Sequence, residues 1–158
     1  MLSRTLFILL LLVSLIIFTL LLGGPFLGGK NLVINEVMAS NRSTITDEDG
    51  EYPDWIEIYN PGNVPVNLEG YYLSNNREEP FMWPFPAVTI EANSYLLLFA
   101  SGKDRHIPGE NQLHTNFRLS AAGSNLYLID PDAKIVDSLI IPALLSNVSY
   151  GRTLDDSR

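Results

Sequence analysis

The sequence predicts an all-β domain, a sandwich or barrel, carried behind one N-terminal apolar helix. Three observations lead there. Residues 6–22 are 17 consecutive positions without a charge. After residue 30 no stretch of helical length keeps an amphipathic 3.6-residue period, and short apolar runs alternate with turn residues instead. The 7 Gly, 9 Pro and 13 Asn beyond that point fall between the apolar runs, where turns need them.

The leader comes first in the chain. At about 1.5 Å per helical residue its uncharged run spans roughly 25 Å, close to the ~30 Å of a bilayer core. A cleaved secretory signal is the alternative, but the run is long for one, and Gly23-Gly24-Pro25 offers no Ala-x-Ala site. Residues 1–30 are therefore read as a membrane anchor or signal segment ending in the Gly-rich spacer Gly28-Gly29-Lys30, with the membrane as partner of residues 1–27. Arg4 before the run places the N-terminus inside and the domain outside. Secretion after signal cleavage is the other outcome. Export of a chain without cysteine points to a bacterial cell envelope, since small secreted eukaryotic domains more often carry disulfides.

Residues 31–158 make one domain, with eight strands expected at 31–38, 55–60, 64–68, 71–74, 87–90, 95–100, 125–130 and 134–140. The segment 95–100 (YLLLFA) is apolar on both alternating faces, so it is expected as a central strand or as one whose outer face loops cover. Residues 91–94 suit a hairpin turn between 88–90 and 95–100, with Asn93 in the left-handed region. Pro131-Asp132-Ala133 predicts a second hairpin joining the last two strands. Residues 81–86, FMWPFP, hold three aromatics among prolines and are expected as a covering loop, because proline lacks the ladder donor.

Charge narrows the function. The 128 residues after the leader carry eight basic and eighteen acidic side chains, and such a surface repels phosphate backbones, so no nucleic acid is expected as a partner. The absence of cysteine removes thiol nucleophiles and thiolate zinc sites. His106 and His114 are the two histidines, and both are expected as exposed loop residues.

The ordered pieces Ile34-Asn35-Glu36, DWIEIYN at 54–60, Pro61-Gly62, VNLEGYYLS at 66–74, Ala100-Ser101-Gly102-Lys103 and Phe117-Arg118-Leu119-Ser120 resemble the lamin-tail domain of bacterial secreted proteins, over about residues 32–152. The resemblance implies an immunoglobulin-like β-sandwich. It also implies a closing strand after Tyr150-Gly151-Arg152, so the chain is read as lacking its last strand and as a fragment of a longer frame.

The remaining polar clusters have ordinary readings beside functional ones. Asn35 is expected to satisfy backbone groups of a nearby loop. Glu36 and Glu57 would meet on one face if their strands pair, without a pocket to make them an acid–base pair. Residues 47–54 (DEDGEYPD) hold five carboxylates and invite calcium, but Gly50 stands only three positions after Asp47, so the EF-hand pattern fails and a solvated acidic loop is expected. Asn41 and Asn147 head glycosylation sequons. No catalytic, cofactor-binding or metal residue is assigned, and no cofactor. The expected function is a non-catalytic extracytoplasmic module that binds or positions a cell-envelope or protein partner. The alternative implied by the resemblance is an accessory domain of a larger secreted nuclease, other hydrolase or spore-coat-kinase-like enzyme.

Overall fold

The computed structural model describes residues 32–107 and 113–153; the expected anchor and the segment expected to precede a closing strand lie outside them. No helix occurs among the described residues, and none is therefore long and apolar enough to cross a membrane. The strands are β1 (Val33–Met38), β2 (Asp54–Asn60), β3 (Val66–Asn67), β4 (Tyr72–Ser74), β5 (Trp83–Pro84), β6 (Thr89–Ile90), β7 (Ser94–Ala100), β8 (Ser124–Ile129), β9 (Ile135–Ile141) and β10 (Tyr150–Gly151). All eight expected strands form. They make two four-stranded sheets, β10-β1-β2-β7 and β5-β4-β8-β9, and a two-stranded ribbon, β3-β6.

One core fills the space between the sheets. Ile34, Val37, Ile56, Ile58 and Leu98 face Leu73, Leu126, Leu128 and Leu139 across it, with Trp83 and Phe85 at the side. In β2 the core residues Ile56 and Ile58 keep the period of two that a strand facing one core demands. In β1 the core residues Ile34 and Val37 are three apart. A bulge between Ile34 and Glu36 absorbs the odd residue, so both still face inward. The residue gained, Asn35, leaves the ladder and donates to Glu57 Oε1 at 2.6 Å, which corrects its expected role of satisfying a loop. Buried Asn60 fills that role: its amide donates to the carbonyls of Val64, Ile90 and Glu91, and its Oδ1 accepts Gly62 N–H.

Two further expectations change. Residues 88–90 and 95–100 do not form a hairpin, because β6 pairs with β3 while β7 pairs with β2; Asn93 does take φ 54° in the turn between them. And β7 is an edge strand of its sheet, so of the two readings of 95–100 the central strand falls and the strand with a loop-covered outer face holds. Its doubly apolar pattern is explained by a second small cluster on the outer face, where Phe99 packs with Met38 and Trp55 under Ile45. The Trp83-Pro84 segment covers the core as expected and also pairs with β4 as an edge strand, the place proline tolerates.

The sheets are tied at one corner. Arg152 donates through Nη2 to Asp137 Oδ1 (2.7 Å) and through Nε to the carbonyl of Ile34, while Asp137 Oδ2 accepts Ile34 N–H at 2.7 Å. Beside it β10 runs close under Glu36: a Cβ on Gly151 would lie 2.8 Å from the carbonyl oxygen of Asn35, so only glycine fits.

Candidate functional site

The polar residues gather at one end of the sandwich, where β1 ends, β2 begins and β7 ends. Asn41 shapes the first loop there, donating to the carbonyls of Ile45 and Pro53 and accepting from the N–H of Thr44. The next turn is built on Asp47, whose Oδ1 accepts the N–H groups of Asp49 (3.0 Å) and Glu51 (2.9 Å). Its other oxygen points at Lys103, just beyond β7.

Lys103 Nζ lies 2.5 Å from Asp47, 2.6 Å from Asp49 and 2.8 Å from Glu51. Arg105 binds Glu48 and, at 2.8 Å, Asp49. The acidic segment is therefore an ion-paired knot with a buried carboxylate at its centre, not the solvated loop its composition suggests. The three carboxylates that could converge on a metal ion converge on the ammonium of Lys103. Burial works to raise the pKa of Asp47, but Lys103 and the N–H groups of Glu51 and Asp49 outweigh it and hold the carboxyl below its ordinary value. For Glu48, burial is likewise outweighed, by its own backbone N–H, His114 and Arg105. Lys103 and Arg105 pull Asp49 down to about 2. The reciprocal effect on Lys103 is upward: burial opposes it, and the hydrogen bonds to Asp47, Asp49 and Glu51 prevail.

His114 is the largest departure from the sequence reading. It is fully buried, not an exposed loop residue. Residues 113–115 run beside β7, with Phe99 N–H donating to the carbonyl of Leu113 and Thr115 N–H to that of Phe99, and the imidazole stacks on Phe99 at 5.1 Å. Its Nδ1 lies 2.9 Å from Ser101 Oγ and its Nε2 2.9 Å from Glu48 Oε2. Ser101 Oγ also accepts Lys103 N–H. With a neutral ring, the serine hydroxyl then donates to Nδ1 and Nε2–H donates to Glu48. The order Ser–His–Glu is that of a nucleophile, base and orienting acid. Yet Ser101 itself is buried, and its hydroxyl is already engaged by Lys103 N–H. The three side chains link the end of β7, residues 113–115 and the 47–51 turn. His106, by contrast, is partly exposed, stacks on Trp83 at 5.0 Å and reaches Asp104 at 2.8 Å.

Next to the knot opens a cleft of about 320 Å³ lined by Glu51, Tyr52, Pro53, Asp54, Ala100, Ser101, Lys103 and Arg118. Burial raises the pKa of Asp54 against the opposing pull of Asn41 N–H and the Arg118 charge. Glu36 and Glu57 are register partners, as expected if their strands pair, but lie on the sheet away from this cleft. Both sequon asparagines are structural: Asn41 is buried, and Asn147 Oδ1 accepts the N–H groups of Arg42 and Ser43.

Sequence reasoning passed over Lys103 and Arg105 because their acidic partners lie 52 to 57 residues away in the chain, and over Ser101 and Arg118 because their partners, 13 and 17 residues away, meet them only across loops. One signal was available. Lys103 and Arg105 are two of eight basic residues after the leader, and they stand together in a polar stretch.

These features define an all-β sandwich domain with an ion-paired knot and a polar cleft at one end. The chain belongs to the lamin tail domain family, whose model matches residues 28–141. Domains of this family are immunoglobulin-like. No curated protein matches the chain.

Proposed function

We propose that the protein is a non-catalytic binding module, held outside a membrane by residues 1–27, that presents the polar end of its sandwich to an envelope component or partner protein. The placement of that end carries the reading. Strand β1 begins at Val33, directly after the apolar segment and its glycine spacer, where Val33 is level with Tyr59 and Tyr95. At the opposite end of the same strand Met38 is level with Trp55, and there Asp54, Ala100 and the loops of the knot gather. An anchor at the start of β1 would thus point the charged knot and its cleft away from the bilayer. The uncharged run with Arg4 before it supplies the anchor and its direction. The family's immunoglobulin-like character, with a Ser–His–Glu chain that fastens loops, supports a role in binding over one in catalysis.

The chain has no cysteine, so one introduced thiol reports topology. Glu78→Cys, on an exposed loop, should react with a membrane-impermeant maleimide on intact cells. Labelling that occurs only after the cells are broken would overturn the extracytoplasmic placement.

A further inference from the structure

We infer that the cleft between Asp54 and Arg118 binds a small zwitterion, an α-amino acid, with its ammonium on Asp54 and its carboxylate on Arg118. The inference rests on the binding-module reading and names the ligand class of that polar end. Four side chains give the cleft its charge, and they divide into two kinds. Glu51 is ion-paired with Lys103 at 2.8 Å, as part of the knot. Asp54 and Arg118 are not paired: Asp54 senses the Arg118 charge, yet no ion pair joins them within 4.0 Å. The cleft thus keeps one unpaired carboxylate and one unpaired guanidinium apart, and a dipolar ligand with one charge of each sign is their complement.

Each group is held by one hydrogen bond before a ligand arrives. Asp54 occupies the first position of β2 opposite Ala100, and its Oδ1 accepts Asn41 N–H at 3.2 Å. Its Oδ2 has no hydrogen bond among the described residues, although burial disfavours the bare charge. Arg118 donates through Nε to the carbonyl of Ser101 at 2.8 Å. Its side chain lies over Gly102, where φ is +78° and a Cβ would stand 3.5 Å from Nε. Its two terminal amino groups have no hydrogen-bond partner among the described residues and form the end-on fork that takes a carboxylate. Such preorganisation lowers the entropy lost on binding. The ring of Tyr52, 44% exposed, with Pro53 and Ala100, offers apolar surface for a ligand side chain. About 320 Å³ is at the small end for ligand sites, which suits one amino acid.

The test is calorimetric titration of the full chain with L-leucine, L-phenylalanine and L-alanine, beside acetate and methylammonium as one-charge analogues. Saturable binding of the amino acids, about tenfold or more tighter than either analogue, is expected, since each lost charge-assisted contact weakens affinity by at least that factor. Asp54→Asn, which keeps the acceptor for Asn41 N–H, and Arg118→Gln should each weaken binding by roughly tenfold or more, and His106→Gln should leave it unchanged. Circular dichroism checks that each variant is folded. No heat at about 10 mM amino acid with the folded chain, or affinity untouched by both cleft variants, overturns the proposal. The maleimide experiment is independent: labelling without amino-acid binding removes the ligand class alone, and binding without labelling removes the placement alone.

Discussion

Residues 47–51 and residues 130–134 fold into the same turn in very different surroundings. In each, an aspartate Oδ1 accepts the N–H groups two and four residues on: Asp49 and Glu51 for Asp47, Asp132 and Lys134 for Asp130. In each, the aspartate N–H donates to the carbonyl four residues on at 2.9 Å, and its own carbonyl accepts the N–H three residues on at 3.0 Å. The fourth position has positive φ in both, 76° at Gly50 and 63° at Ala133. The turn at 130–134 caps the β8–β9 hairpin, and its charged pair, Lys134 with Asp132 at 3.5 Å, is open to solvent. The turn at 47–51 is clamped to the end of β7 by Lys103, Arg105 and His114. Since the hairpin copy forms without such clamps, the backbone bonds suffice to make the turn. The ion-paired knot instead fixes where the turn sits, and with it Glu51 and Tyr52 in the cleft wall.

Removing the shared acceptor from both turns separates those two roles. Asp130→Ala takes away two N–H partners at a partly exposed site and should cost about 1 kcal/mol, the scale of a lost cap. Asp47→Ala takes away the same two and also leaves the Lys103 ammonium short of its buried partner, so about 3 kcal/mol is expected. Denaturant midpoints of the two variants measure the difference directly. Equal losses would mean that the clamp adds nothing to the turn.

His114→Ala attacks the clamp without touching the turn. The variant strands the hydroxyl of Ser101 and a carboxylate oxygen of Glu48 and opens space against Phe99, for an expected loss of about 2 kcal/mol. His106→Ala, with an exposed imidazole edge, should cost less than about 1 kcal/mol. A reversal of that order would restore the exposed-loop reading of His114.

Acid should loosen the clamped turn, and Lys103→Met should shift where it does so. Asp47, Glu48 and Asp49 have folded pKa values below their ordinary ones. Their contribution to stability is complete above the ordinary carboxylate range near pH 4 and is lost as pH falls through the lowered folded values, about 2 for Asp49. Without the ammonium, Asp47 and Asp49 lose the partner chiefly responsible for that lowering, so acid unfolding should begin at a higher pH. The gap between wild type and variant should be full at neutral pH and narrow below pH 4. Unfolding curves at several pH values test this, and a gap independent of pH would assign the effect to packing of the lysine stem.

The contrast also explains what could be read from the chain alone. All eight expected strands form because each carries its own signal, an apolar run ended by turn residues. The one faulty pairing, 88–90 with 95–100, came from treating a short connection as a hairpin when β6 pairs with β3 and β7 with β2. The knot carries no comparable local signal. Asp47 and Lys103 are 56 residues apart and meet only because β2 brings the start of its strand beside the end of β7. The buried state of His114 is set in the same way, by backbone pairing with Phe99 and Arg105 that no periodicity announces.

The smallest effect concerns the position at which the two turns differ. Four described residues other than glycine have positive φ: Asn93, Asp104, Asn147 and Ala133. The first three are of the types that tolerate the left-handed region, whereas alanine gains nothing there and its Cβ crowds the following carbonyl, at a cost of roughly 1–2 kcal/mol. The clamped turn carries Gly50 at this place, with open space around the site of a Cβ. Ala133→Gly should relieve the strain in the hairpin copy, and because Ala133 is exposed no packing is lost. Against this, glycine widens the unfolded ensemble by about 0.4–1 kcal/mol. The balance is a stabilisation of about 0.5 kcal/mol, read as a raised denaturant midpoint with an unchanged slope. The reciprocal change, Gly50→Ala, should lose a similar amount through backbone strain alone. If Ala133→Gly destabilises instead, the two turns are not equivalent, and the hairpin copy draws support from surroundings that its backbone bonds do not reveal.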